Sequence, residues 1–266
     1  SVYLKKVGRN FVGLCPFHSE KTPSFNVSPE KKIYKCFGCG RSGNVFTFLM
    51  ENNGMTFREA MQYLAKRYGI TIEQTLENQE KKSHQEDIFN ALEEVTKYYQ
   101  SMLKKNAGKL CRDYFKKREV SPQTIEQFQL GYAPESFNET SKYMSSKGYN
   151  NEILLDAGLL VQNDKGNLYD RFRGRAMFPI TDIFGRVIGF GARILINDKT
   201  QPKYINSPQT GLYDKSSVLY GIYHAKNQIM NKKEAILVEG YMDVITMHQW
   251  GFTNAVASSG TSLTAD

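Results

Sequence analysis

Short β-prone runs at residues 3–7, 11–14, 24–27 and 33–35 alternate with turn residues, a pattern that predicts a small antiparallel sheet. The period then lengthens. Val45, Phe46, Phe48 and Leu49 fall on one side of a helix over residues 44–52. Thr56 with Glu59 three residues on is a capping box, and it leads into a second helix carrying Ala60, Met61, Leu64 and Ala65. Residues 73–87 are polar and nearly free of apolar side chains, so they read as an interdomain linker; lacking both Gly and Pro, the linker is coiled or helical. From Ile88 a helical spacing resumes through Phe89, Leu92, Val95, Tyr98, Tyr99 and Met102, and continues over 110–117. Ser121 and Pro122 start a further helix as N-cap and first helical residue. Past residue 159 the texture changes to strand-like runs at 159–162, 176–181 and 187–190, separated by turn signals at 163–166 and 184–185. A helix over 223–230, an apolar run at 235–238, a helix reaching Trp250 and a strand at 255–257 complete the chain, and the last three form the β-α-β unit of a parallel sheet.

Composition narrows the class. At 266 residues the chain is long enough for two domains, and 40% hydrophobic residues provide a core. No run approaches the ~18–20 apolar residues of a membrane span. No signal peptide is visible; the start without Met and the ending SSGTSLTAD read as a chain cut at both ends. Four cysteines are too few for a disulfide-stapled fold, which points to the cytoplasm. Net charge is +8, unevenly spread: residues 1–72 hold 11 Lys/Arg against 4 Asp/Glu, a net of +7, and the rest 24 against 23, a net of +1. A strongly basic N-terminal module calls for a polyanionic partner.

The sharpest chemical signal lies in that module. Cys15 and His18 are followed, 17 residues after His18, by Cys36 and Cys39. Two such pairs on neighbouring turns complete a tetrahedron of thiolates and one imidazole, the donor set of a closed, structural zinc site. Cys111 reads as a small hydrophobe, and His84, His224 and His248 as structural or exposed. Around the ligands Lys21, Lys31, Lys32, Lys35 and Arg41 interleave with Phe25, Tyr34 and Phe37. Cations with aromatics suit single-stranded nucleic acid; the same aromatics also suit the core of a tiny sheet. CPFHSEKTPSF followed by YKCFGCGRSG closely resembles the zinc-binding domain of DnaG-type bacterial primases. The resemblance implies a domain that engages the single-stranded template.

Further on, residues 165–215 hold nine Lys/Arg against four Asp/Glu, a net of +5. Glycines beside Arg193 let backbone approach a ligand, while Tyr204 offers a stacking face and Asn206 a hydrogen-bonding amide. In EAILVEGYMD an apolar strand ends at Glu239, Gly240 turns, and Asp243 falls in the first turn of a helix. Carboxylates at a strand's carboxyl end suit Mg²⁺ or acid–base work, and equally a helix dipole. This segment resembles the first motif of the toprim fold, and DRFRGR, GFGAR, PKYINSP and LYG resemble the primase polymerase domain in order and spacing.

The resemblance covers essentially the whole chain. It implies an α+β or α/β chain: a zinc ribbon of antiparallel sheet (1–72), a linker (73–85), the N-terminal subdomain of the polymerase domain (86–234) and the start of a toprim sheet (235–266). By the same resemblance Glu239 is the catalytic glutamate and Asp243 a nearby acid. Arg118, Arg171, Arg173, Arg175, Arg193, Lys203, Tyr204, Asn206 and Lys215 form a basic ridge for template, primer and nucleotide. One Zn is structural; a catalytic Mg has its other ligands in an Asp-x-Asp motif beyond Asp266, so the chain by itself is expected to bind DNA without making primers. The implied partners are single-stranded DNA, ribonucleoside triphosphates and, through a further domain, the replicative helicase; the protein is expected to be monomeric, with no membrane association. Ala192 stands where the family has Gly. Two other classes remain: a toprim nuclease or topoisomerase, and a non-catalytic single-strand-binding module.

Overall fold

The β-prone runs at the start of the chain pair with their sequence neighbours, as short turns demand. In the computed structural model, which describes residues 2–70, 76–196, 198 and 200–258 (backbone alone for 76–81), the strands β1 (Leu4–Val7), β2 (Asn10–Gly13), β3 (Phe25–Ser28), β4 (Ile33–Cys36) and β5 (Ser42–Gly43) form one antiparallel sheet in sequential order. Two helices follow. α1 (Val45–Asn53) is capped by Asn44, whose Oδ1 accepts from the Phe46 and Thr47 amides at 3.0 Å. α2 (Phe57–Tyr68) starts on the expected box: the Thr56 amide donates to Glu59 Oε2 at 2.8 Å, and the Glu59 amide to Thr56 Oγ1 at 3.3 Å. The core of this unit is small, with Phe25, Tyr34, Phe17 and Phe48 in mutual ring contact at 5.2–6.1 Å beside the buried Cys15 and Cys36.

The chain divides between Thr75 and Leu76 into two units. The second opens with α3 (Leu76–Lys104), so residues 76–85 are helical, the alternative that their lack of Gly and Pro allows; 73–75 lie outside the described residues. Then come α4 (Lys109–Lys117), α5 (Pro122–Gln127), β6 (Gly131–Ala133), α6 (Glu139–Ser146), α7 (Asn151–Asp156) and the hairpin β7 (Leu160–Gln162) and β8 (Leu168–Asp170). β9 (Arg175–Thr181), β10 (Val187–Ile194) and β11 (Tyr204–Asn206) join β6 in an antiparallel sheet of order β11-β10-β9-β6. α3 covers it with Ala91, Leu92, Val95 and Tyr99, and Phe190 meets the Tyr99 ring edge-on at 5.7 Å. The three-residue strands β6 and β11 are too short to show a period of two, and sequence pattern alone did not predict them.

After α8 (Ile222–Lys232), the expected β-α-β unit closes the described chain: β12 (Ile236–Val238), α9 (Tyr241–Gln249) and β13 (Ala255–Ala257), with the strands parallel. Tyr220 bridges to Ala257 through two backbone hydrogen bonds of 2.8 and 3.1 Å and ties this unit to the segment before α8. No helix is long and apolar enough to cross a membrane.

Candidate functional site

β2 and β4 deliver the metal ligands. Cys36 ends β4 and faces Phe25 across the ladder, while Cys15 follows β2. Each turn aims backbone at its own sulfur: the Phe17 amide donates to Cys15 Sγ and the Cys39 amide to Cys36 Sγ, both at 3.4 Å. The donor atoms of Cys15, His18, Cys36 and Cys39 all lie within 4.8 Å of one another. Cys15 Sγ is 3.9 Å from Cys39 Sγ, and Cys36 Sγ is 3.9 Å from His18 Nδ1. A zinc–sulfur tetrahedron has edges of about 3.8 Å, so the four residues fit Zn²⁺ and leave no open position. Gly38 is required here: a Cβ would lie 2.8 Å from both His18 Nε2 and Ser24 Oγ.

One residue of this site escaped the sequence reading. Glu20 Oε1 accepts from the Cys15 amide at 2.7 Å and the Ser24 amide at 3.1 Å; Oε2 accepts from the Ser24 hydroxyl and from His18 Nε2, at 3.1 Å. The Ser24 hydroxyl, then the two amides and His18, hold its carboxyl below the usual range. With Nε2–H given to Glu20, His18 presents Nδ1 to the metal. The clue was position alone, a carboxylate two residues after the histidine.

The aromatics of the zinc unit separate. Phe25 and Tyr34 are 2% and 4% exposed and belong to the core, which corrects their reading as stacking residues: the sheet had nothing else of that size to bury. Phe37 is 70% exposed on the turn between Cys36 and Cys39, with Lys35 Nζ 5.4 Å over its ring. Lys21, Lys31, Lys32 and Arg41 are exposed as well.

In the second unit the basic residues split into two groups. Arg175 is 3% exposed and donates to Pro202 O at 3.1 Å and Gln201 Oε1 at 3.2 Å, and Arg171 clamps the Asn206 carbonyl through Nε at 3.2 Å and Nη2 at 3.0 Å. Burial lowers the pKa of both guanidiniums. These two hold the loop and strand that carry Lys203, Tyr204 and Asn206. The others face outward in part or whole. Arg193 lies over the Tyr114 ring at 4.2 Å and pairs across the ladder with Tyr204; Lys203 and Arg118 are exposed, and Lys215 is part-buried. Arg173 lies over Phe137 at 4.7 Å and Tyr169 at 5.2 Å, beside a cavity of about 190 Å³ that Leu110 and Glu135 help line.

Leu110, Tyr114 and Lys117 share one face of α4 by their i, i+4, i+7 spacing, so α4 extends the same basic surface. The signal was available: residues 104–118 hold seven Lys/Arg against Asp113 alone.

Glu239 is exposed where β12 ends. Asp243, also exposed, turns Oδ2 back to the Gly240 amide at 3.1 Å and so caps α9. Among the described residues neither belongs to a group of three or more metal donors. Between them, Tyr241 is 5% exposed and docks on the sheet; its hydroxyl donates to Asn206 Oδ1 at 2.8 Å. The EGYMD turn and the GFGAR and PKYIN strands, far apart in sequence, thus meet at one tyrosine. His224 and His248 pack with Phe128 (ring centroids 4.6 and 5.4 Å), where burial above all, with the neighbouring histidine, lowers His224 to about 4.

Three family models match in order: the CHC2 zinc finger over residues 1–81, the N-terminal domain of the DNA primase catalytic core over 98–226 and the toprim domain over 233–266. The DNA primase of Clostridium acetobutylicum is 46% identical over 268 residues, an alignment that covers 100% of this chain and 44% of that protein. The crystal structure of the zinc-binding and RNA polymerase domains of Aquifex aeolicus primase matches 99% of this chain and 63% of its own, at 41% identity and a TM-score of 0.63. A DnaG primase catalytic domain bound to single-stranded DNA matches 69% of this chain and 57% of its own, at 42% identity and a TM-score of 0.63. The chain thus spans less than half the length of the curated relative and under two thirds of these solved chains. With its Cys₃His zinc site, its sheet of basic strands and its β-α-β ending in this order, the chain belongs to the DnaG-type DNA primases.

Proposed function

We propose that this chain takes part in the synthesis of short RNA primers on single-stranded DNA. A primer 3′-hydroxyl attacks the α-phosphate of a ribonucleoside triphosphate, and pyrophosphate leaves. The observation that carries the reading is the docking of the acid-bearing turn, Glu239 to Asp243, onto the strands that bear Arg193, Lys203, Tyr204 and Asn206. Arg118, Arg173, Arg193, Lys203 and Lys215 offset phosphate charge, and Tyr204 and Phe37 offer faces to bases. Arg171 and Arg175 act one step back, by fixing the strand and loop. Glu239 is the exposed acid for magnesium or proton transfer; Mg²⁺, when bound, would neutralise charge on the phosphates. Asp243 primarily caps the helix. The relatives' character supports a bacterial, cytoplasmic setting, a monomer, and coupling to the replicative helicase outside these residues.

The test uses the chain extended through a complete toprim domain, with single-stranded DNA, Mg²⁺ and labelled ribonucleotides. Template-dependent short RNA, lost in Glu239→Gln while DNA binding persists, is the expected outcome. Cut DNA without RNA would place the chain among toprim nucleases, and binding without chemistry would leave a single-strand-binding module.

A further inference from the structure

The structure assigns Tyr241 a positioning role: it orients the side-chain amide of Asn206 toward the ribonucleotide that reacts beside Glu239. This rests on the functional reading above. Gly191 and Asn206 face each other across the β10–β11 ladder, and together they form the socket. A Cβ at Gly191 would lie 2.3 Å from Tyr241 Cζ, so the tyrosine ring fills the space a strand side chain would take. The ring stacks on Phe178 at 5.4 Å and 12°, and meets Tyr220 edge-on at 4.7 Å. These contacts leave the ring one place, from which the hydroxyl reaches Asn206 Oδ1 at 2.8 Å.

Asn206 is therefore held twice. Arg171 clamps its main-chain carbonyl, and Tyr241 takes its amide oxygen. An asparagine amide is close to symmetric in shape, so a single firm donor at Oδ1 decides which end is oxygen and which is NH₂. The NH₂ end then faces away from Tyr241, as a donor suited to a sugar or base oxygen. Tyr204 lies two residues back on the same face of β11, opposite Arg193, and adds a stacking ring and a cation to that donor. The ligand is the nucleotide rather than distant template because Tyr241 and Glu239 are two residues apart in one turn. Whatever Asn206 touches lies beside the acid.

The experiment compares wild type, Tyr241→Phe, Asn206→Ala and the double variant in the chain extended through its toprim domain. The probe is a ribonucleoside triphosphate with a methylene between its α- and β-phosphates, which binds with Mg²⁺ but does not react. Each single variant is expected to weaken its binding roughly three- to tenfold, the size of one orienting hydrogen bond. The double variant should lose no more than either single one, since both remove one interaction. Single-strand affinity and the melting midpoint of Tyr241→Phe should stay at wild-type values, because the phenyl ring keeps the packing.

Unchanged nucleotide binding in Tyr241→Phe, additive losses in the double variant, or a loss in DNA affinity instead would overturn the proposal. So would a fall in both affinities together with the melting midpoint, which marks a tyrosine that only packs. If the predicted nucleotide pattern appears but wild type makes no RNA, the positioning role stands and the primase reading fails. If wild type makes RNA and Tyr241→Phe binds and synthesises like it, only the positioning role fails.

Discussion

A single carboxylate organises the zinc site as much as the ligands do. Glu20 receives the Cys15 and Ser24 amides, the Ser24 hydroxyl and His18 Nε2–H, and so fixes both ligand-bearing turns and the histidine tautomer. The ligands themselves were legible from spacing, because a metal imposes ligand type and loop length on the sequence. A residue that acts through hydrogen bonds to backbone leaves no such trace. Glu20→Gln preserves the shape but replaces acceptors with an amide, and should lower zinc affinity roughly 10- to 100-fold. Competition with a chromogenic chelator measures it; an unchanged affinity would show that the ligands orient themselves. Phe25 and Phe37 teach a related lesson, since one aromatic is core and the other surface within the same basic, aromatic stretch. Composition could not separate them.

At the scale of elements, α5, α8 and α9 converge on a cluster of Phe128, His224 and His248. His248 donates Nε2–H to the Ala255 carbonyl at 2.9 Å, and burial pushes its pKa down; burial pushes His224 down to about 4. Both imidazoles are thus neutral in the folded chain. Above the ordinary histidine pKa of ~6.5 folded and unfolded forms are alike in charge. As pH falls from there toward 4, the unfolded chain takes up the proton first and stability declines, by roughly 2 kcal/mol for His224 after allowing for its partial exposure. Melting of the second unit should drop across that window, and His224→Phe should flatten the drop. An equal drop in the variant would move the cause to other groups. The long elements were readable: α3 kept its apolar period and α9 followed its strand. β6 and β11 were not, because three residues carry no period and their pairing with β9 and β10 is decided by distant chain.

For the whole molecule, the two units are stabilised by different means. The first buries Cys15, Phe25, Tyr34 and Cys36 at its centre and depends on metal; the second has an extended core from Ile88 to Ala257. Structural zinc is worth about 10–16 kcal/mol in small modules, more than such a core supplies. Chelation should therefore unfold residues 1–70 and leave the second unit folded, seen as selective proteolysis of the N-terminal part. Loss of both together would mean that metal holds the entire chain. The sequence alone determined the zinc ligands, the two-unit division of charge, the helical and β-α-β segments and the family resemblance, since each is written in local spacing or composition. Only the tertiary structure decided that Arg171 and Arg175 are inward clamps, that Asp243 caps its helix, and that Tyr241 joins the acidic turn to Asn206. Those assignments depend on which side chains meet across non-neighbouring strands, and contacts between distant segments have no signature within either one.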